Sequence, residues 1–426
     1  MLACLAGMLA AALPAQAQLL NSYFPPTGGG AGGIPADSSA ARVAKEYESS
    51  GITSGSFVIR PEVSETLGYA SNANGVTGSS PVIDTAGSVI IRSNWVDTNV
   101  SGQFTVNDQR YPSQSSQDQT SWTASLGATQ AIGHDILGIG YNHLSLVETP
   151  NQIGSVGIQT VPYQVDIVSL SDTIATHSRF SFIPNVTVTR FNFDPVPIAG
   201  TPDTNATRDR TVLQAGLTTR YQLSPATDAL LVLNTTEIWY DSTQPAIAGL
   251  NSNGATILVG IDSRSGGPFS YRLLVGYQER VFRSSLYGSA GGPIFEGVVI
   301  WRPTRLTAVT ATVRRDIDDS QSQGLAGYTY LGGSLRIEHE LRRNITIGAF
   351  ISVERADSQI SAAAAAAIPF EGTVSSRSDA AVGATARWLL NRNMSLDWAV
   401  QYSSQQNVGS RNDNGATALM TLRFHL

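Results

Sequence analysis

Between Pro293 and Ser358 apolar and polar residues alternate through four successive segments, Ile294–Arg302, Leu306–Asp316, Tyr330–Leu341 and Ile345–Arg355. In the last of them Ile345, Ile347, Ala349, Ile351 and Val353 share one face, and Thr346, Gly348, Ser352 and Glu354 the other. A period of two is that of a strand with unlike faces. The connections alternate as well: tight at Pro303-Thr304, long and polar from Asp318 to Thr329, tight again at Arg342-Arg343-Asn344. Strands of about 10–12 residues with short turns and long loops in strict alternation describe a transmembrane β-barrel. Lipid cannot hydrogen-bond a backbone, so a strand-built span must close on itself.

Only 14% of the 426 residues are charged, against about 25% in soluble domains. No apolar run approaches the ~20 residues that a spanning helix needs. The longest, Met1–Ala15, leads into Ala15-Gln16-Ala17, an A-x-A cleavage pattern, although no Lys or Arg precedes it. Residues 1–17 therefore read as a signal peptide. Cys4 is the only cysteine, so the exported chain has neither a disulfide framework nor a thiolate metal site. The net charge is −6 and Lys45 is the only lysine, so nearly all of the 27 basic residues are arginines. No basic block suggests nucleic acid.

Residues 18–50 are rich in Gly, Pro and Ala and read as a periplasmic tail. The remainder, 51–426, reads as an all-β, antiparallel transmembrane barrel of about 18 strands, with 16–18 as the range. Long loops are expected near 70–84, 112–120, 148–162, 194–209, 241–253, 284–292, 318–328, 356–377 and 405–413. An even strand count with both ends on the short-turn side puts both termini in the periplasm. The last strand alternates to the final residue through Ala418, Met420, Leu422, Phe424 and Leu426.

The stretches GGPIFEGVVIWRPTRLT and HELRRNITI within Gly288–Arg355, YQLSPATDALL at 221–231 and EYESSGITSGSFVIRPEVSETLGYASNANG at 46–75 resemble the putative β-barrel porin 2 family of bacterial outer-membrane proteins. The resemblance implies an outer-membrane barrel and, for some members, an association with periplasmic polysaccharide-export proteins. Lipid, lipopolysaccharide and the barrel-assembly machinery are the partners that such a barrel implies.

Alternation sorts the faces. Arg92, Arg220, Asp262, Arg264, Arg272, Arg280, Glu296, Arg302, Arg314, Arg336, Glu338, Glu354, Arg387 and Arg423 are the candidates for the lumen. A ring of guanidinium groups favours anions. The same residues could equally brace the wall as Arg–carboxylate ladders, with Arg336/Glu338 and Asp262/Arg264 pairing to adjacent strands. Trp122, Trp239, Trp301, Trp388 and Trp398 suit interfacial girdles.

Enzyme signatures are sparse. There is no G-x-S-x-G and no H-E-x-x-H. His143-Leu144-Ser145 resembles the His-x-Ser pair of lipid A deacylase barrels, with Glu148 as the residue that would orient the histidine. Both side chains fall on the lipid face, and His143 reads rather as interfacial. Asp316, Asp318 and Asp319 match no EF-hand spacing and read as solvated loop acids. No cofactor or metal is expected. The sequence therefore describes a non-enzymatic, porin-like outer-membrane channel for polar solutes, anions among them. Two alternatives remain: a conduit for a secreted polysaccharide, and a structural barrel with a blocked lumen.

Overall fold

The computed structural model describes residues 50–149, 160–176, 178–195, 208–242, 250–264, 267–284, 287–318, 327–359, 376–408 and 413–426. The signal peptide, nearly all of the 18–50 tail and the centres of several long loops lie outside them. The described chain is almost all strand. A short β1 (Ile52–Ser54) precedes β2 (Phe57–Ala73), β3 (Val76–Ser93), β4 (Thr98–Arg110), β5 (Gln119–Ile132), β6 (Asp135–Glu148) and β7 (Val161–Ala175). Then follow β8 (Phe180–Phe193), β9 (Arg210–Ser224), β10 (Thr227–Tyr240), β11 (Ser252–Ser263), β12 (Phe269–Phe282) and β13 (Ser289–Thr304). The last six are β14 (Thr307–Asp318), β15 (Gly327–Arg342), β16 (Ile345–Gln359), β17 (Ser376–Asn391), β18 (Met394–Val408) and β19 (Asp413–His425).

Each strand from β2 to β19 pairs antiparallel with the next, and β19 pairs back onto β2 through Thr417↔Ala70 to His425↔Glu62. This closes an 18-strand barrel. β1 adds a three-residue pairing to the start of β2. Followed partner to partner around the wall, the register advances by about 22 residues, which sets a strand tilt of roughly 40°. With ~4.8 Å between strands, the mean diameter is on the order of 35 Å. That is wide enough for an interior of its own.

One expected loop is a hairpin. The sequence predicts a long connection over 70–84, but β2 and β3 continue to a two-residue turn at Asn74 (φ 52°) and Gly75 (φ 79°). Both residues have positive φ, which a type I′ turn requires and which the Asn-Gly pair accepts at low cost. Polar residues in the extended arms, such as Ser71, Asn72 and Ser80, had been read as loop.

Burial follows the period of two. The exposed phase carries large apolar residues, among them Leu126 (65%), Ile139 (58%), Val275 (56%) and Val400 (53%). A continuous apolar surface on this scale is untenable in water and is what a bilayer covers. No helix among the described residues is long and apolar enough to cross a membrane. Outward-facing aromatics pair near the short-turn end, with Phe269 and Trp301 stacked at 6.2 Å and Phe180 against Tyr221 at 4.8 Å. Near the long-loop end Phe104 meets Trp122 at 6.1 Å. Outward aromatics of this kind suit the interfaces of a bilayer.

Two close strand-to-strand approaches, each implying an inward bend of the wall, lie about halfway round the barrel from each other. At β11–β12, a Cβ on Gly276 would lie 1.8 Å from the Ile257 carbonyl oxygen, and one on Gly260 1.9 Å from that of Leu273. At the closure seam, a Cβ on Gly68 would lie 2.3 Å from the Ala418 carbonyl oxygen. Glycine permits this close approach of adjacent backbones. On the inner face beside the first, Leu230, Val232, Leu258, Leu274 and Ile294 form a buried cluster. Ala70, Ala73, Val82 and Tyr111 cluster near the second, with Leu419 packed against them. Apolar residues thus fill two inner corners of a barrel whose inner walls are otherwise polar.

Candidate functional site: the barrel interior

The residues named as lumen candidates lie on the strand phase opposite the exposed apolar side chains, except Arg264, which directly follows β11. The register brings them together in groups. Asp262 accepts from Arg264 at 2.6 Å and from Arg272 at 3.1 Å. Both Asp262 and Arg272 are fully buried (1% and 0% exposed). Asp397 accepts from Arg387 at 2.7 Å and from Arg423 at 3.2 Å, and Arg423 reaches on to Glu62 at 2.6 Å. Arg314 is held by Asp316 and by Asp318, the latter at 2.9 Å, and lies over the Tyr330 ring. Arg377 holds Asp379 at 2.7 Å.

Other arginines also meet hydroxyl and aromatic groups. Arg280 donates to Ser252 at 2.8 Å and sits over Phe282, and Arg302 donates to Ser270 at 3.1 Å. Arg336 lies over the Phe350 ring at 5.3 Å, where the sequence suggested an ion pair across the strands. Glu296 stands opposite Arg314 in the register, yet neither carboxylate oxygen has a hydrogen-bond partner among the described residues. Glu338 and Glu354 occupy the same inner phase of β15 and β16, Arg92 that of β3, and Arg220 that of β9.

The solvated-acid reading of Asp316 is corrected. Asp316 is buried (3% exposed) and bonded to Arg314, because its even-numbered position on β14 puts it on the inner wall beside Arg314 rather than in the loop that follows. No group of acidic or histidine ligands that could hold a metal occurs among the described residues.

Sequence reasoning missed a second cluster. At the inner rim of the long-loop end, Arg208 pairs with Glu148 and lies 4.0 Å over Phe193, which stacks on Tyr163 at 5.3 Å. Arg210 lies 4.2 Å over Phe191. The signal available was Phe191-Asn192-Phe193, whose aromatics fall on the inner phase of β8. Glu148 is thus an inner-wall residue, and the histidine it was expected to orient faces outward. His143 instead bonds through Nδ1 to Asp166 Oδ1 at 2.8 Å, and Tyr141 donates to the same oxygen at 2.7 Å. Trp122 packs on the His143 ring at 4.7 Å. Asp166 escaped the reading because it comes from β7, the next strand across.

The inner wall is chemically two-sided. From β4 through β8 it presents Ser, Thr, Asn and Gln among apolar and aromatic side chains such as Leu144, Ile167, Ile183, Phe191 and Tyr163, and Glu148 is its only carboxylate or basic group among the described residues. Ser101, Thr105, Thr123, Asn142 and Thr187 are all half-buried there. From β9 round to β3 it carries the arginines and carboxylates, many of them buried in the pairs above. The hydroxyl and amide side is therefore the more accessible polar surface inside the barrel.

A closed wall with an apolar exterior and a hydrophilic interior defines a transmembrane β-barrel of the channel or transporter class. Residues 45–424 match the family described as putative beta-barrel porin 2, and the chain belongs to that family. No curated protein matches the sequence. Among solved structures, OccK2 (OpdF) of Pseudomonas aeruginosa is similar over 86% of this chain and 97% of its own, with TM-score 0.48 and 11% identity. OccAB2 of Acinetobacter baumannii is similar over 88% of this chain and 99% of its own, with TM-score 0.47 and 9% identity. The FrpB iron transporter of Neisseria meningitidis (F5-1 variant) gives TM-score 0.47 and 8% identity over 87% of this chain, which spans 65% of the length of that transporter.

Proposed function

We propose that the protein is a porin-like channel of the bacterial outer membrane that passes small polar solutes, with its short turns and both termini in the periplasm. The observation that carries this reading is the accessible hydroxyl and amide wall inside a closed, apolar-coated barrel. Uncharged hydrogen-bonding groups let hydrated solutes exchange water for wall contacts without being trapped. The ion pairs of Asp262, Asp397 and Arg314 neutralise much of the buried arginine charge, so the number of arginines alone does not make the interior an anion filter. The same hydroxyl wall favours, as a second reading, a conduit for a hydroxyl-rich polymer. Planar-bilayer recording of the purified protein under a KCl gradient tests the channel reading. Stable unitary steps are expected. Folded protein that gives no steps would end it in favour of a blocked barrel. Swelling of proteoliposomes in neutral sugars of increasing length then separates a small-solute pore from a polymer conduit.

A further inference from the structure

The two mouths of the barrel differ in charge. At the long-loop end most arginines among the described residues are matched, with Arg210 and Arg315 the exceptions: Arg110 pairs with Asp108, Arg190 with Asp241, Arg283 with Glu237, Arg355 with Asp357 and Arg377 with Asp379. At the short-turn end Arg179, Arg305, Arg342, Arg343 and Arg392 are exposed in or beside the turns, and none has a carboxylate within ion-pair distance among the described residues. Arg92 and Arg302 lie just behind them on the inner wall. The acids at this end are fewer. Glu62, Asp262 and Asp397 are committed to inner arginines. Asp97, Asp135, Asp172, Asp228, Glu338 and Glu340 are spread around the rim and just inside it.

We propose that the short-turn mouth is a docking site for a multiply anionic solute, a chain or ring bearing several phosphate or carboxylate groups, which it gathers at the entrance of the pore. The proposal rests on the channel reading and adds the substrate class and the side of entry. A single exposed guanidinium does little in salt, but several around one low-dielectric opening focus their field and raise the local concentration of counter-charge. Guanidinium groups also hold phosphate and carboxylate in two-pronged hydrogen bonds. Because Arg92 and Arg302 continue the positive charge inward, the geometry suits a solute that enters better than an acidic protein that would touch only the rim.

The test uses channels inserted in one orientation in a planar bilayer, with inositol hexakisphosphate as the probe. Block is expected from the short-turn side at a concentration about tenfold lower than from the loop side, and it should fade in ~1 M KCl, where the Debye length is about 3 Å. The combined variant Arg305→Gln, Arg342→Gln, Arg343→Gln and Arg392→Gln should abolish the asymmetry. The combined variant Arg355→Gln and Asp357→Asn, at the other mouth, should keep it. Equal block from both sides, or asymmetry that survives the fourfold variant, overturns the proposal. Folded protein without steps overturns the channel reading by itself. Binding of the same probe to that protein in detergent, present in the wild type and lost in the fourfold variant, then decides the docking site; no difference between the two refutes it.

Discussion

Arg423, on the last strand, donates to Glu62, on the first, at 2.6 Å across the seam where the barrel closes. The other arm of Arg423 reaches Asp397 on the penultimate strand, and Asp397 is shared with Arg387. Four charges on four consecutive strands thus lie side by side on the inner wall at the short-turn end. Thr66 and Thr421 add a hydroxyl bridge of 2.8 Å across the same seam. Closure pairs the first and last strands of the barrel, β2 and β19, the strand pairing of greatest separation along the chain. Replacing Arg423 by Gln would leave Glu62 without its ion pair and Asp397 with Arg387 alone. Loss of one member of a largely buried pair costs about 3 kcal/mol, the lower end of the usual range, since Glu62 retains some solvent. The Arg423→Gln protein should lose the heat-modifiable gel mobility of a closed barrel at a lower temperature than wild type. A Glu62→Gln, Arg423→Gln double variant should be less affected than the two single changes summed. Strict additivity would show that the bridge does not hold the seam.

The bend at β11–β12 leads to a second expectation. Gly276 and Gly260 have no room for a Cβ, because the neighbouring carbonyl oxygens stand 1.8 and 1.9 Å from where it would be. Backbone on both sides of the contact must move to admit even alanine. Gly102 differs: the nearest atom to its added Cβ is the Leu126 Cδ2 at 3.4 Å, an ordinary contact with a flexible side chain. Gly276→Ala should therefore abolish most folded barrel, while Gly102→Ala leaves folded yield within about twofold of wild type. The folded fraction on unheated gels measures both. Equal tolerance at the two positions would mean that the wall can straighten at β11–β12.

The contrast shows which features could be read from the sequence. The period of two, the succession of tight and long connections and the alternation through Phe424 point directly to a closed, antiparallel barrel, because each is a local consequence of strand geometry. Inner and outer faces follow from the same parity. The Asn74-Gly75 hairpin was missed because the polar residues of its long arms, beyond the expected bilayer, obey no alternation that lipid imposes. Pairings such as Asp166 with His143, or Asp397 with both Arg387 and Arg423, depend on the register between strands, which the turns set and one-dimensional alternation does not contain. The bends were hidden for a similar reason. Gly68, Gly260 and Gly276 look like any other glycines until the adjacent backbone is in place.

The outward patch at His143 permits a test of catalysis. The His143–Asp166 hydrogen bond has the geometry that a base and its orienting carboxylate would need in a hydrolytic triad. Ser145 shares their face, but its hydroxyl has no side-chain hydrogen bond among the described residues, and its register partner is Trp122. Its strand amides are engaged in the ladder, so no pair of free N–H groups waits for an oxyanion. The Asp166 carboxylate accepts from both Tyr141 and His143, the arrangement of a polar anchor at the membrane interface. Mass spectrometry of lipid A from cells carrying wild type, Ser145→Ala and His143→Ala should show one acylation pattern. Fewer acyl chains with wild type than with either variant would make the patch an active site.

Glu296 is a poorly compensated charge on the inner wall. It is 6% exposed and both its oxygens lack hydrogen bonds among the described residues. The nearest cation in the register, Arg314, is already engaged by Asp316 and Asp318. A buried carboxylate without a hydrogen-bonded partner loses its hydration for little return, whereas a neutral amide of the same shape loses far less. Glu296→Gln should therefore leave the barrel as stable as wild type or raise its unfolding temperature. Arg314→Gln should do the opposite, since it strands the buried Asp316, with an expected loss of about 3–5 kcal/mol. Thermal unfolding in detergent, followed by the gel-mobility shift, compares the two variants under one condition. Destabilisation by Glu296→Gln comparable to that by Arg314→Gln would mean that Glu296 is paired in the folded protein and contributes to the wall as Asp316 does.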